Sequence, residues 1–214
     1  TLGTLCGALA GSILPVSIQA ALGVMLYGMF IAIVVPPARK EKPMLAAMAM
    51  AQAVREAAHI PCDIKWPNDL VLHGRKLCGI LLEMVFDGQG YAVVAGTGLN
   101  VREGAYPPEL AEKATSIAEW TDAPDRGAII AAYLDSLEEA VSALEERGFA
   151  GIAEEFRRRC ITLGSQVHVL GTDAQFTGVA EDIDDTGALL VRVEGELRRV
   201  LAGDVSVRGV MGYV

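Results

Sequence analysis

Three short strings hold the residues best suited to chemistry. The first is Ile64-Lys65-Trp66-Pro67-Asn68-Asp69. The second is Lys76-Leu77-Cys78-Gly79-Ile80-Leu81-Leu82-Glu83, and the third Gly96-Thr97-Gly98-Leu99-Asn100. A lysine at a strand end, just before a tight turn, can neutralise two anions held against each other and stabilise the charge that develops as they react. A glycine such as Gly79 lets the backbone approach a ligand closely, because it has no side chain. Each string also has a plain structural reading. A strand-end lysine, Lys65 or Lys76, can be a solvated charge. Pro-Asn-Asp is a common turn in which Asn and Asp bond their own backbone. Gly96 and Gly98 can serve tight strand packing. Cys6, Cys62, Cys78 and Cys160 lie far apart, with no CxxC and no metal-ligand spacing. They read as reduced thiols used as small apolar fillers.

These strings need a scaffold, and the pattern supplies one. Alanines and methionines recur at helical period from Met44 to Ala58, the mark of a helix packed on a sheet. Strands are expected at Cys62–Trp66, Asp69–Leu72, Lys76–Phe86 and Tyr91–Leu99. The turns His73-Gly74-Arg75 and 87–90 make them hairpins. Residues 107–120 read as loop with a short helix, and 126–147 and 149–160 as amphipathic helices parted at Gly148. After Gly164, short strands alternate with Gly or Asp turns at 166–171, 174–183, 188–193, 196–201 and 204–209, a rhythm that suits a small β-barrel.

The front of the chain has a different composition. The 214 residues carry a net charge of −9, yet none is charged before Arg39. Residues 1–42 carry +2, which leaves −11 on the rest. An acidic balance disfavours non-specific nucleic-acid binding. An uncharged run of 38 residues exceeds the roughly 20 that span a bilayer as a helix. It can be one membrane span, two short ones broken near Pro15, or a buried soluble helix pair. No basic residue precedes it, unlike a secretory signal peptide. The expected division is therefore 1–42 as an apolar helical segment, 43–163 as one domain and 164–214 as a second.

Taken together and in this order, KWPND, K-x-x-G-I-L-x-E and G-x-G-x-N resemble the biotin–protein ligase family, over roughly residues 43–214. The resemblance implies an α+β fold: a biotin/lipoate ligase-like catalytic domain, with a mixed sheet and helices, followed by a small SH3-like barrel. It implies ATP-dependent conversion of biotin to biotinyl-AMP and transfer to a lysine of a biotin carboxyl carrier domain of an acyl-CoA carboxylase. ATP, biotin and Mg²⁺ are the implied cofactors, in a cytoplasmic setting. Lys65 is implied as the catalytic lysine against the biotin carboxylate and phosphate. Gly79, Ile80 and Leu81 are implied on the biotin side, and Lys76, Gly96, Gly98 and Asn100 on the ATP side. No residue is implied as a metal ligand. Lipoate ligases share the fold, but KWPND with this C-terminal unit favours biotin.

Two features depart from that pattern. The stretch 22–40, LGVMLYGMFIAIVVPPARK, resembles part of the AzlC family of branched-chain amino-acid exporters. The Ser-Thr-Asn segment and the GRGRxGR loop of the ligase family do not occur in the sequence, nor does a DNA-binding winged helix. The resulting expectations are impaired ligase activity, an open sheet edge and no nucleic-acid partner. The alternative is a non-catalytic fusion, tethered to a membrane through residues 1–38.

Overall fold

The computed structural model describes residues 42–86, 91–104, 106–171, 175–202 and 205–209. The exporter-like stretch and the possible membrane segment at 1–38 lie outside them, as does Cys6. No helix among the described residues is long and apolar enough to cross a membrane.

Helix α1 (Lys42–Ala58) opens the described chain. Met44 to Ala47, Ala49 to Ala51, Ala53 and Val54 are all buried, because the helix packs on the sheet on one side and on helix α2 on the other. Its alanines keep that layer thin. Four strands follow: β1 (Asp63–Lys65), β2 (Asp69–Leu72), β3 (Arg75–Phe86) and β4 (Tyr91–Leu99). They pair in the order β1-β2-β3-β4, and every ladder is antiparallel. The mixed sheet expected from the sequence is therefore corrected. Consecutive strands joined by short turns must reverse direction, and a parallel pair would need a crossover of a dozen or more residues. Parallel pairing among the described residues is confined to single bridges, Ile64 with Cys160 and Lys76 with Ala114. The β2–β3 turn is His73-Gly74 with φ of 47° and 75°. That is the left-handed pair a two-residue hairpin loop requires.

Residues 108–110 and 117–119 form single 3₁₀ turns. Helix α2 (Arg126–Arg147) starts at Asp125, whose Oδ1 accepts the N–H groups of Gly127 and Ala128 at 2.8 and 3.1 Å. It stops at Gly148, with φ 62°. Helix α3 (Ala150–Arg159) follows and ends where Cys160 joins the edge of β1.

The C-terminal unit has strands β5 (Gln166–Gly171), β6 (Gln175–Ile183), β7 (Leu189–Val193), β8 (Glu196–Val200) and β9 (Val205–Gly209). They form one antiparallel sheet in the order β8-β7-β6-β5-β9. Val167, Val169, Ala180, Ile183, Leu189, Val191, Val200 and Val207 are its buried apolar side chains among the described residues.

The β6–β7 turn is built on Asp184. Its Oδ1 accepts from Thr186 N, Thr186 Oγ1 and Ala188 N at 2.9, 2.8 and 3.0 Å, and Arg199 pairs with its Oδ2. Partial burial opposes ionisation, but the Arg199 and Thr186 side chains and these N–H groups outweigh it and bring the carboxyl from 3.8 down to about 2. A depressed folded pKa contributes stability that is fully present above the unfolded value and is lost as pH falls through the folded one. The melting temperature of the chain is therefore expected to fall between pH 4 and pH 2 by more than that of Asp184→Asn. Equal pH slopes in thermal melts of the two proteins would count against this account.

Candidate functional site

Strand register brings the sequence-derived residues together. Lys65 pairs with Asp69, Asp69 with Gly79, and Gly79 with Gly98. Directly opposed residues of an antiparallel sheet point to the same face. The four therefore make one row across all four strands. Leu81 and Gly96, the next pair on that face, extend it. The neighbouring row, Ile64, Leu70, Cys78 and Leu99, faces the helices, and its first three members are buried. The sheet thus has a packed inner face and an outer face carrying the candidate residues.

The outer face changes character along this row. Lys65 lies at the closed end and is only 8% exposed. At the other end Gly96 and Gly98 are exposed, and Leu81 and Val94 stand 56% and 51% exposed. A Cβ at Gly96 or Gly98 would meet only a carbonyl oxygen, at 3.6 and 3.5 Å. Tight strand packing therefore does not demand glycine at either position. Gly79 differs. A Cβ there would lie 2.9 Å from both Cε and Nζ of Lys76 and 3.3 Å from Asp69 Oδ1.

Lys76 reaches this face through a bulge in β3: Leu70 pairs with Cys78, but Val71 pairs with Lys76. Its ammonium lies 2.6 Å from Asp69 Oδ1. The side chain of Ile80 is buried on the helix side. Its N–H donates to Asn68 O at 3.1 Å, and its carbonyl accepts from Asn68 Nδ2. Asn68 thereby ties the turn after Lys65 to β3.

Asn100 lies just beyond β4. Its N–H donates to Leu77 O and its carbonyl accepts from Ile117 N, while Nδ2 donates to Thr115 O at 3.0 Å. A cavity of about 340 Å³ beside it is lined by Leu99, Val101, Arg102, Glu103, Gly104 and Arg126. Sequence reasoning did not single out either arginine. A larger cavity, about 380 Å³, lies among α1, α2 and α3, and none of the sequence-derived site residues lines it.

The segment after Asn100 is held by a cluster that sequence reasoning also missed. Glu119 accepts from Arg75 Nη1 and Ser116 N, both at 2.9 Å, and from the Tyr106 hydroxyl. Partial burial works against its charge, but these bonds prevail and hold its carboxyl at about 2. Trp120 stacks on His73 at 4.5 Å and donates to Thr115 Oγ1 at 2.8 Å. The spacing Ser116-x-x-Glu119, a capping box in the structure, was the available sequence signal.

Trp66 is buried, as the sequence implies, and the Trp66–Pro67 bond is cis. Cys62, Cys78 and Cys160 are free and buried. Burial pushes the Cys62 and Cys78 thiols up to about 12, so neither is a nucleophile at neutral pH.

Residues 31–100 match the profile of the biotin/lipoate A/B protein ligase family, and residues 162–208 match the biotin protein ligase C-terminal domain. The biotin–[acetyl-CoA-carboxylase] ligase of Paracoccus denitrificans is 32% identical over 195 residues, covering 78% of this chain and 78% of that protein. The chain belongs to the biotin–protein ligase family. The first match begins at residue 31, inside the exporter-like stretch. The bifunctional ligase/repressor BirA of Bacillus subtilis is 32% identical over 168 residues, 77% of this chain and 52% of that protein. The chain thus spans about half the length of such relatives. Among solved structures, the Aquifex aeolicus biotin protein ligase in complex with biotin and ATP superposes with a TM-score of 0.71 at 26% identity, over 79% of this chain and 72% of that one.

Proposed function

We propose that the outer face of the four-stranded sheet activates biotin with ATP and transfers it to a lysine of a biotin carboxyl carrier domain. The observation that carries this reading is the in-register row Lys65–Asp69–Gly79–Gly98, which sets a buried lysine at one end of an open, glycine-lined strip. Biotin has a flat bicyclic head and an apolar tail. Gly79 and Leu81 offer it backbone and apolar surface, and Ile80 contributes through its backbone only. Lys65 lies where the biotin carboxylate and the α-phosphate of ATP must meet. A carboxylate oxygen attacks the α-phosphorus and pyrophosphate leaves. The carrier amine then attacks the acyl carbon of biotinyl-AMP and AMP leaves. Lys65 offsets the negative charge in both steps.

Gly96, Gly98 and Asn100 are assigned to the nucleotide. The bond from Nδ2 to Thr115 O fixes the Asn100 amide for contact with a base. Lys76 acts from its pair with Asp69, placed to shift toward phosphate when ligand enters. Mg²⁺ is assigned to the ATP phosphates, because a small hard cation of this kind is usually held by substrate phosphate oxygens and water. Residues 43–163 are the catalytic domain in this reading, and 164–214 the SH3-like barrel. The names of the Paracoccus and Mycobacterium tuberculosis relatives, both biotin–[acetyl-CoA-carboxylase] ligases, point to an acetyl-CoA carboxylase as carrier. Free thiols at Cys62, Cys78 and Cys160 fit a reducing, cytoplasmic setting, and the acidic balance of the chain disfavours a nucleic-acid partner.

The exposure of Leu81 and Val94 leaves the outer face open to water among the described residues. Open solvent weakens the Lys65 charge and exposes an adenylate to hydrolysis. Labelled-biotin transfer by the 214-residue polypeptide is therefore expected at least ~100-fold below that of the Paracoccus relative. A rate within tenfold would mean that the face is covered after all. The experiment that tests the site itself is pyrophosphate release with biotin and MgATP. Dependence on Lys65 supports the reading, and independence refutes it.

A further inference from the structure

The backbone around Lys65 is held from outside its own sheet. On one side, the carbonyl of Ile64 accepts from Ile161 N at 3.0 Å. On the other, the N–H of Trp66 donates to Thr162 Oγ1 at 3.0 Å, and Thr162 is only 3% exposed. Both peptide groups of Lys65 are thus fixed by one two-residue stretch between α3 and the C-terminal sheet. A third tie comes from that sheet. The Trp66 indole Nε1 donates to Gly187 O at 3.1 Å, across 121 positions of sequence. Gly187 lies in the turn that Asp184 organises, and Gly187 N donates to Asp184 O at 3.0 Å. Three bonds therefore converge on residues 64–66, at the end of a strand only three residues long.

We infer that Thr162, together with the Gly187 turn, is a positioning device for the Lys65 ammonium: the C-terminal unit sets the angle at which the lysine meets an anion on the outer face. The inference rests on the proposed role of Lys65. The Thr162 hydroxyl supplies a 3.0 Å bond to the Lys65–Trp66 peptide, beside the Cys160 thiol, which also faces that N–H. Losing it leaves that buried N–H with only a weak sulfur acceptor and lets the strand end turn. Misplacement of a reacting group by ~1 Å is worth up to about 100-fold, so a partial release is expected to cost about five- to tenfold.

The test is calorimetric binding of biotinyl-AMP to the full chain, well below its melting temperature. Thr162→Val is expected to bind about five- to tenfold more weakly. Thr162→Ser, which restores the oxygen, should stay within twofold of the unsubstituted protein. Trp66→Phe, which keeps the ring but drops the Gly187 bond, should bind at least threefold more weakly, and it keeps the test decisive if Thr162→Val does not fold. A merely structural Thr162 would lower the melting temperature and leave affinity unchanged. If Lys65→Ala weakens binding while Thr162→Val and Trp66→Phe do not, the clamp is overturned and the site reading stands. If Lys65→Ala also has no effect, or the unsubstituted chain does not bind, the site reading falls and the clamp with it.

Discussion

Replacement of Lys65 by alanine is expected to slow pyrophosphate release by roughly 10²–10³, the usual cost of losing one well-placed group that stabilises transition-state charge. The lysine is the buried end of the row that crosses the sheet, with its strand partner Asp69 beside it. Its ammonium offsets two anions that repel in the ground state and share charge during transfer. The ground state also loses. Affinity for biotinyl-AMP is expected to fall about 10- to 100-fold, from a charge-assisted hydrogen bond of ~1.5–3 kcal/mol. Rates are best followed with the chain in excess over labelled biotin, so that slow chemistry stays visible. A Lys65→Ala protein that folds and releases pyrophosphate within threefold of the parent would remove Lys65 from the reaction.

The second large effect is on stability. Trp66→Ala is expected to cost ~3–5 kcal/mol, as for other buried aromatic truncations. Trp66 is 2% exposed and is among the largest fully buried side chains. It ties the end of β1 to the stretch after α3 and to the C-terminal sheet: its backbone N–H is bonded to Thr162 and its indole to Gly187. Truncation leaves a cavity at the junction and strands the Gly187 carbonyl. Natural domains hold only ~5–15 kcal/mol in total, so urea denaturation should show a sharply lowered midpoint. Trp66→Phe keeps most of the volume and is expected to lose only about 1 kcal/mol, the worth of one hydrogen bond. A loss below ~1 kcal/mol for Trp66→Ala would show that the junction does not depend on this ring.

Much of this architecture was legible before any coordinates. The bounds of β4 are as expected from the sequence, and α1, α2 and α3 begin and end within two residues of expectation, because turns, helical periodicity and the Gly148 break are local signals. The row of candidate residues was not legible as a row. Register depends on turn lengths and on the bulge at Lys76, and a one-residue slip would have put Lys65 and Gly79 on opposite faces. The mixed sheet that the resemblance implies gives way to an antiparallel one because each described pair of neighbouring strands is joined by a short reversing turn. Thr162 and Gly187 carried no signal at all. A threonine in a linker and a glycine in a turn are ordinary there, and only the folded chain brings them to Trp66. Asp69 was read as a turn former, whereas it pairs with Lys76 over Gly79, a contact created by the sheet.

The central claim is that the outer face of the β1–β4 sheet receives the adenylate. A crystal structure of the chain grown with biotinyl-AMP tests it most directly. The account predicts the phosphate within about 3 Å of Lys65 Nζ, the hydrogen-bonding range for a cationic donor. It also predicts the biotin head over Gly79 and Leu81, and the base toward Gly98 and Asn100. A ligand seated in the cavity among α1, α2 and α3, or anywhere that leaves Lys65 out of contact with phosphate, would contradict it.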